Sequence, residues 1–193
     1  MKPVKLIAIG GSAGSLQVIL SLLTSLPPDF QVSILIVLHR NGIFDSTLEE
    51  LFSSRTVAPV KEVEEKEPVL PGTVYICPAD YHVLLEKDHS FSLDYSERVN
   101  YSRPSIDVTF RSAADSFGEE LMGVLLSGGN ADGAEGLEYV KEKGGMVIVQ
   151  DPATAEVPYM PAQAVLKGSV DFIVPAAELP AFIGGLIRPA SPR

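Results

Sequence analysis

The segment Ile9-Gly10-Gly11-Ser12-Ala13-Gly14-Ser15 sets one serine among small residues. It follows the apolar run 4–9 and precedes Leu16-Gln17-Val18-Ile19-Leu20, which reads as a helix. Gly10, Ser12 and Gly14 have the Gly-x-Ser-x-Gly spacing of a nucleophile elbow. There small residues relieve crowding at a strand-to-helix corner, and the serine Oγ stands clear of the sheet. The N–H groups of the following helical turn then face any oxyanion formed there. That chemistry is acyl transfer, and it needs a base for the serine proton and an acid to orient the base.

The chain has three histidines, His39, His82 and His89. His89 falls in a predicted hairpin turn, where it is expected to be solvated, and His82 opens a hairpin strand away from the elbow. His39 follows the apolar run 33–38, at the end of a second strand, and is the candidate base. Asp132 lies in a glycine-rich loop after the apolar run 122–126 and would hold the imidazole tautomer. Each has an ordinary reading as well. The turn could bind a phosphate or merely turn, His39 could be a loop histidine, and Asp132 could cap the next helix. What favours the triad is that each residue stands directly after its own buried strand, where sites form in open α/β sheets. The order Ser, His, Asp differs from the Ser, Asp, His of α/β-hydrolases.

The elements that must position these residues are short apolar runs separated by helical segments. Residues 33–38 are continuously apolar, as in a strand covered on both faces. Further strands are expected at 57–63, 73–76, 122–126, 146–149 and 170–174, with an antiparallel hairpin at 83–86 and 91–94. Helices are expected at 16–26, from a cap at Asp45 or Ser46 to Phe52, from a cap at Ser105 to Phe117, at 134–143, from Pro161 to about Gly168, and at 177–186. This alternation predicts an α/β fold. It is a doubly wound, mostly parallel sheet with helices on both faces and the hairpin at one edge. The charged run 61–67 reads as a solvated loop. Residues 1–187 form one domain, and 188–193, with two prolines, read as a frayed tail.

The 193 residues are 46% hydrophobic, enough for a core without metal or disulfide staples. A net charge of −10 argues against nucleic acid and against polybasic membrane docking. Cys77 is the single cysteine, so neither an intrachain disulfide nor a cysteine zinc site can form, and a cytoplasmic setting is the simplest reading. Lys2 and Lys5 before an apolar run faintly suggest a signal peptide, but Gly10-Gly11-Ser12 interrupts it early. No run reaches the roughly 18 residues a bilayer span needs.

These residues together resemble the catalytic domain of the chemotaxis protein-glutamate methylesterases, of the CheB type. The resemblance rests on 9–14, on Leu38-His39 and on 126–136, with further matches at 75–78, 103–107, Gln150-Asp151-Pro152 and Met160-Pro161. It spans about residues 4–183. It implies a serine hydrolase that removes methyl esters from chemoreceptor glutamates, releasing methanol, and that deamidates receptor glutamines in some members. The family nucleophile, histidine and aspartate map onto Ser12, His39 and Asp132. The cytoplasmic domains of methylated chemoreceptors would be the partners, with no metal or organic cofactor and no membrane insertion. Ala13 at the oxyanion corner and Gly128–Asn130 could supply backbone donors, and Arg103 could steer acidic receptor surface or simply be a surface arginine. The family usually has Ser-Thr-Gly-Gly where this chain has Ser12-Ala13-Gly14-Ser15, and methionine then glycine where Gly129 and Asn130 stand. Typical members also carry an N-terminal receiver domain, whereas here the catalytic strand comes first, as expected of a standalone form or of a piece of a longer protein. The competing reading is a phosphate- or nucleotide-binding regulatory module that uses the 10–15 turn without catalysis. The missing Gly-x-Gly-x-x-Gly and Gly-Lys-Ser/Thr patterns count against it.

Overall fold

A computed structural model describes residues 2–39 and 46–187. Its centre is a seven-stranded sheet in the order β3-β4-β2-β1-β7-β8-β9, with every pairing parallel. In chain order these strands are β1 (Leu6–Gly11), β2 (Ser33–Leu38), β3 (Val60–Glu62), β4 (Val74–Ile76), β7 (Leu121–Leu125), β8 (Met146–Gln150) and β9 (Phe172–Val174). The helices are α1 (Leu16–Ser25), α2 (Ser46–Ser53), α3 (Ile106–Phe117), α4 (Ala134–Glu142), α5 (Tyr159–Lys167) and α6 (Leu179–Ile187).

Every residue of β1 and β2 is buried, as their apolar sequences, broken only by Ser33 whose hydroxyl donates to Leu70 O (2.8 Å), require of strands covered on both sides. Alternation divides each strand between two cores. Leu6 and Ala8 of β1 and Leu35 and Val37 of β2 join Phe110, Leu137 and Met160 from α3, α4 and α5. Ile7, Ile9, Ile34 and Ile36 join Leu20, Leu23, Phe52 and Ile183 from α1, α2 and α6. β1 lies between β2 and β7. The chain winds to one side of β1 and then returns to the other, so the switch point, where α/β sheets open a crevice, falls at the carboxyl end of β1.

The hairpin β5 (His82–Leu85) and β6 (Phe91–Asp94) is antiparallel, but it forms a two-stranded sheet of its own, and the main sheet ends in the parallel strands β3 and β9. Burial explains its place. Val83, Leu85 and Phe91 belong to the same core as Phe110, and the hairpin backbone is tied to α3 through Thr109 Oγ1 to Val83 O (2.9 Å) and Leu85 N to Ser112 Oγ (3.2 Å). His89 is half-buried rather than solvated. Its ring stacks on Phe117 at 4.2 Å, and Nε2 meets Ser116 O at 3.3 Å.

The charged run 61–67 is only partly a loop: Lys61 lies in β3 and pairs with Glu64 and Glu67, and Val63 is buried. α5 starts at Tyr159, so Pro161 sits in its first turn, where its missing N–H costs nothing. Asp45 as a cap and the 188–193 tail lie outside the described residues. Among the described residues, no helix is long and apolar enough to cross a membrane.

Candidate active site

Ser12 stands one residue beyond β1 and three before the N-cap of α1. The corner is closed by its own backbone. Ser12 O accepts from Ser15 N–H (3.1 Å) and from Ser15 Oγ (2.7 Å), while Ser12 N–H donates to Ser127 O (2.9 Å). Gly14 has φ +79°, and a Cβ there would lie 2.7 Å from Ser127 Oγ and 2.6 Å from Glu156 Cβ, so both conformation and space demand glycine. Ser127 Oγ, at the end of β7, donates to Ala13 O (2.7 Å) and accepts from Val157 N–H (2.9 Å). The elbow is thus fastened to the neighbouring strand end.

His39 follows β2, whose last residue pairs with Gly11, and its N–H donates to Gly11 O (3.3 Å). Ser12 and His39 therefore leave from adjacent strand tips. Across β1 on the other side, the loop after β7 carries Asp132, which is fully buried. His39 Nε2 lies 2.8 Å from Asp132 Oδ2, and the imidazole is 12% exposed. All three residues singled out in the sequence stand at one end of the sheet. His39 and Asp132 are in contact. Ser12 Oγ makes no hydrogen bond among the described residues.

Asp132 is held by more than the imidazole. Its carboxylate closes the start of α3, accepting from Ile106 N–H (2.7 Å), Asp107 N–H (3.0 Å) and Ser105 Oγ (2.9 Å). Those N–H groups are left without helical partners, and they sit at the positive end of the helix dipole. Burial opposes the charge of Asp132, but the bond from His39 and the N–H groups of Asp107 and Ile106 outweigh it and hold the carboxyl below its ordinary range. An ionised carboxylate only accepts, so Nε2 of His39 carries the proton and Nδ1 presents its lone pair.

Asp107 returns the arrangement. From the first turn of α3 its Oδ1 accepts from Gly133 N–H (2.9 Å) and Gly136 N–H (2.6 Å), which closes the start of α4, and its Oδ2 accepts from Asn100 Nδ2 (3.0 Å). The start of α4 is thus closed by an aspartate of α3, and the start of α3 by the aspartate two residues ahead of α4. Burial first, and then the neighbouring charge of Asp132, push the Asp107 carboxyl up to about 6, against the pull of the two glycine N–H groups. The two helices approach closely because Gly136 has no side chain: a Cβ would lie 2.8 Å from Phe110 Cβ and 3.0 Å from the Asp107 backbone.

Sequence reasoning missed Asp107, Ser127 and Ser102. Ser102 Oγ lies 3.5 Å from His39 Nδ1, and Asn130 Nδ2 reaches it at 3.4 Å. The available signal for Asp107 was an acid in the first turn of a capped helix, and it does not reveal a second helix as the recipient. His82 is fully buried and hydrogen-bonds to neither Ser12 nor His39 among the described residues. It accepts from Ser105 N–H at Nδ1 (3.1 Å), and Nε2 donates to Glu97 O (3.0 Å). Gly128 N–H is spent on Val157 O (3.0 Å), which removes it as an oxyanion donor, whereas Ala13 N–H is unengaged among the described residues. Arg103 stacks on Tyr95 at 3.9 Å, and its Nη1 donates to Ser96 O (2.6 Å).

The profile of the CheB methylesterase family matches residues 7–183. A relative from Leptospira interrogans is 44% identical over 168 residues, covering 87% of each chain. A protein-glutamate methylesterase/protein-glutamine glutaminase from Hydrogenovibrio crunogenus is 37% identical over 187 residues, covering 95% of this chain and 50% of its own length. The chain thus spans about half of that longer relative. The crystal structure of the Thermotoga maritima CheB methylesterase catalytic domain is 33% identical, with a TM-score of 0.91, and the match covers 96% of this chain and all of that one.

Proposed function

The chain belongs to the CheB methylesterase family, and from that premise we propose that it hydrolyses the methyl esters of glutamate side chains in chemoreceptor cytoplasmic domains, and deamidates receptor glutamines by the same route. One observation carries the reading. The buried, ionised Asp132 holds His39 by Nε2, so that Nδ1 presents its lone pair, and His39 leaves the strand tip adjacent to the one that bears Ser12.

Ser12 Oγ attacks the ester carbonyl carbon while His39 Nδ1 takes its proton. The carbonyl π electrons move to oxygen, and the oxyanion is met by Ala13 N–H in the turn between β1 and α1. The tetrahedral intermediate collapses, the C–O bond to the methoxy group breaks, and the imidazolium protonates the leaving group to methanol. Asp132 stabilises that imidazolium without taking its proton. Water then attacks the acyl-enzyme with His39 again as base, releasing the glutamate carboxyl and restoring Ser12. With glutamine the leaving group is ammonia.

The phosphate-binding alternative is not favoured. Ser12 N–H and Ser15 N–H are both engaged within the protein, which leaves a sparse cradle for a multiply charged group. The working place that follows from these substrates is the cytoplasm.

The test is methanol release from methylated receptor membranes by the wild-type protein and by Ser12→Ala. Release by the wild type and a fall of at least about a thousandfold in the variant are expected. Release that persists in Ser12→Ala removes Ser12 from its role, and thermal stabilisation by nucleotide with no release favours the binding module.

A further inference from the structure

Residues 95–103 join the hairpin to α3 and end in a narrow turn at the rim of the site. Val99 and Ser102 exchange both backbone bonds, Val99 N–H to Ser102 O (3.2 Å) and Ser102 N–H to Val99 O (2.9 Å). The two residues between them, Asn100 and Tyr101, have φ +50° and +63°. Positive φ at both central positions is the mark of a primed hairpin turn, for which glycine or asparagine is the usual choice. Asn100 suits its place. Tyr101 does not, because a bulky side chain in the left-handed region is strained. Its side chain is also 96% exposed. Neither folding nor packing accounts for a tyrosine there, and strain of this kind gathers at functional surfaces.

The turn is also held in place. Asn100 Nδ2 donates to Asp107, the carboxylate that closes α4 beside Asp132. Ser102, one residue past Tyr101, faces His39 Nδ1. At the stem, Arg103 lies over the Tyr95 ring and binds the Tyr95 and Ser96 carbonyls, and Tyr81 packs on Tyr95 at 5.5 Å. A fixed stem thus presents an exposed aromatic ring one residue from the serine that meets the base.

We propose that the Asn100–Tyr101 turn seats the receptor segment around the esterified glutamate, with Tyr101 as the residue that determines specificity for a polypeptide substrate. This rests on the methylesterase reading. The partner is the stretch of receptor chain flanking the ester. It must pass the rim for its glutamyl group to reach Ser12, and a tyrosine supplies wide contact area at small conformational cost.

The experiment follows methanol release from methylated receptor membranes by the wild type, Tyr101→Phe and Tyr101→Gly, together with thermal unfolding of each. Glycine suits the positive φ, so Tyr101→Gly is expected to unfold at the wild-type temperature or above. Its receptor KM is expected to rise about tenfold while kcat stays within about twofold, and Tyr101→Phe is expected to keep most of the wild-type KM. An unchanged KM in Tyr101→Gly overturns the proposal alone, as does a loss that comes with a lowered unfolding temperature. Absence of release by the wild type overturns the methylesterase reading, and this proposal with it.

Discussion

Asp107 and Asp132 are two buried carboxyls at one place with opposite proton preferences. Between the ordinary carboxylate range and about pH 6, folded Asp107 keeps a proton that the unfolded chain has released. Its contribution to stability therefore falls as pH rises through that window. Asp132 acts in the opposite sense. Its stabilisation is present above its unfolded value and is lost as pH falls through the lower folded one. Asp107→Asn keeps an oxygen for Gly133 and Gly136 and removes the titration, while its amide nitrogen faces Asn100 Nδ2 in place of an acceptor, a cost that does not vary with pH. Relative to wild type, this variant should gain up to about 3 kcal/mol between pH 4 and pH 7, read from denaturant unfolding over a pH series. A difference that does not change with pH refutes it. Asp132→Asn tests the catalytic assignment. The amide no longer specifies Nε2–H as the donor, and kcat for methanol release should drop by about ten-thousandfold with little change in KM.

At the scale of elements, the close approaches make the glycines testable. Gly136→Ala forces α3 and α4 apart at Phe110 and Asp107, and a loss of about 1–3 kcal/mol is expected in chemical unfolding. Gly14→Ala strains a left-handed position and intrudes on Ser127, so both stability and kcat should fall. The strands that carry the site were legible because burial on both faces leaves a plain trace: β1 and β2 are apolar runs ending at Gly11 and Leu38. The α3 cap was legible too, since Ser105 marks it and its Oγ accepts from Val108 N–H. The place of the hairpin was not. Its apolar residues announce a buried face, but not that α3 rather than a sheet edge covers it. The crossed capping was equally hidden, because Asp107 reads as an ordinary first-turn acid of α3 and Asp132 as a cap for α4, and only tertiary packing exchanges them.

At the scale of the molecule, the sheet separates two cores of unequal consequence. Phe110 belongs to the core under α3, α4 and α5, and Phe52 to the one under α1, α2 and α6. Phe110→Ala and Phe52→Ala should each cost about 3–5 kcal/mol in unfolding. Measured at a temperature where both remain folded, only Phe110→Ala should lower kcat by more than about tenfold, because α3 presents the N–H groups that hold Asp132. Equal kcat losses would show that the two faces are not separable in this way. The exchange of aspartates between α3 and α4 also bears on time. Neither helix start can fray while the other stays closed, since each is shut by a side chain that the other anchors. The amide protons of Ile106, Asp107, Gly133 and Gly136, far apart in the chain, should therefore trade with deuterium at one common opening free energy.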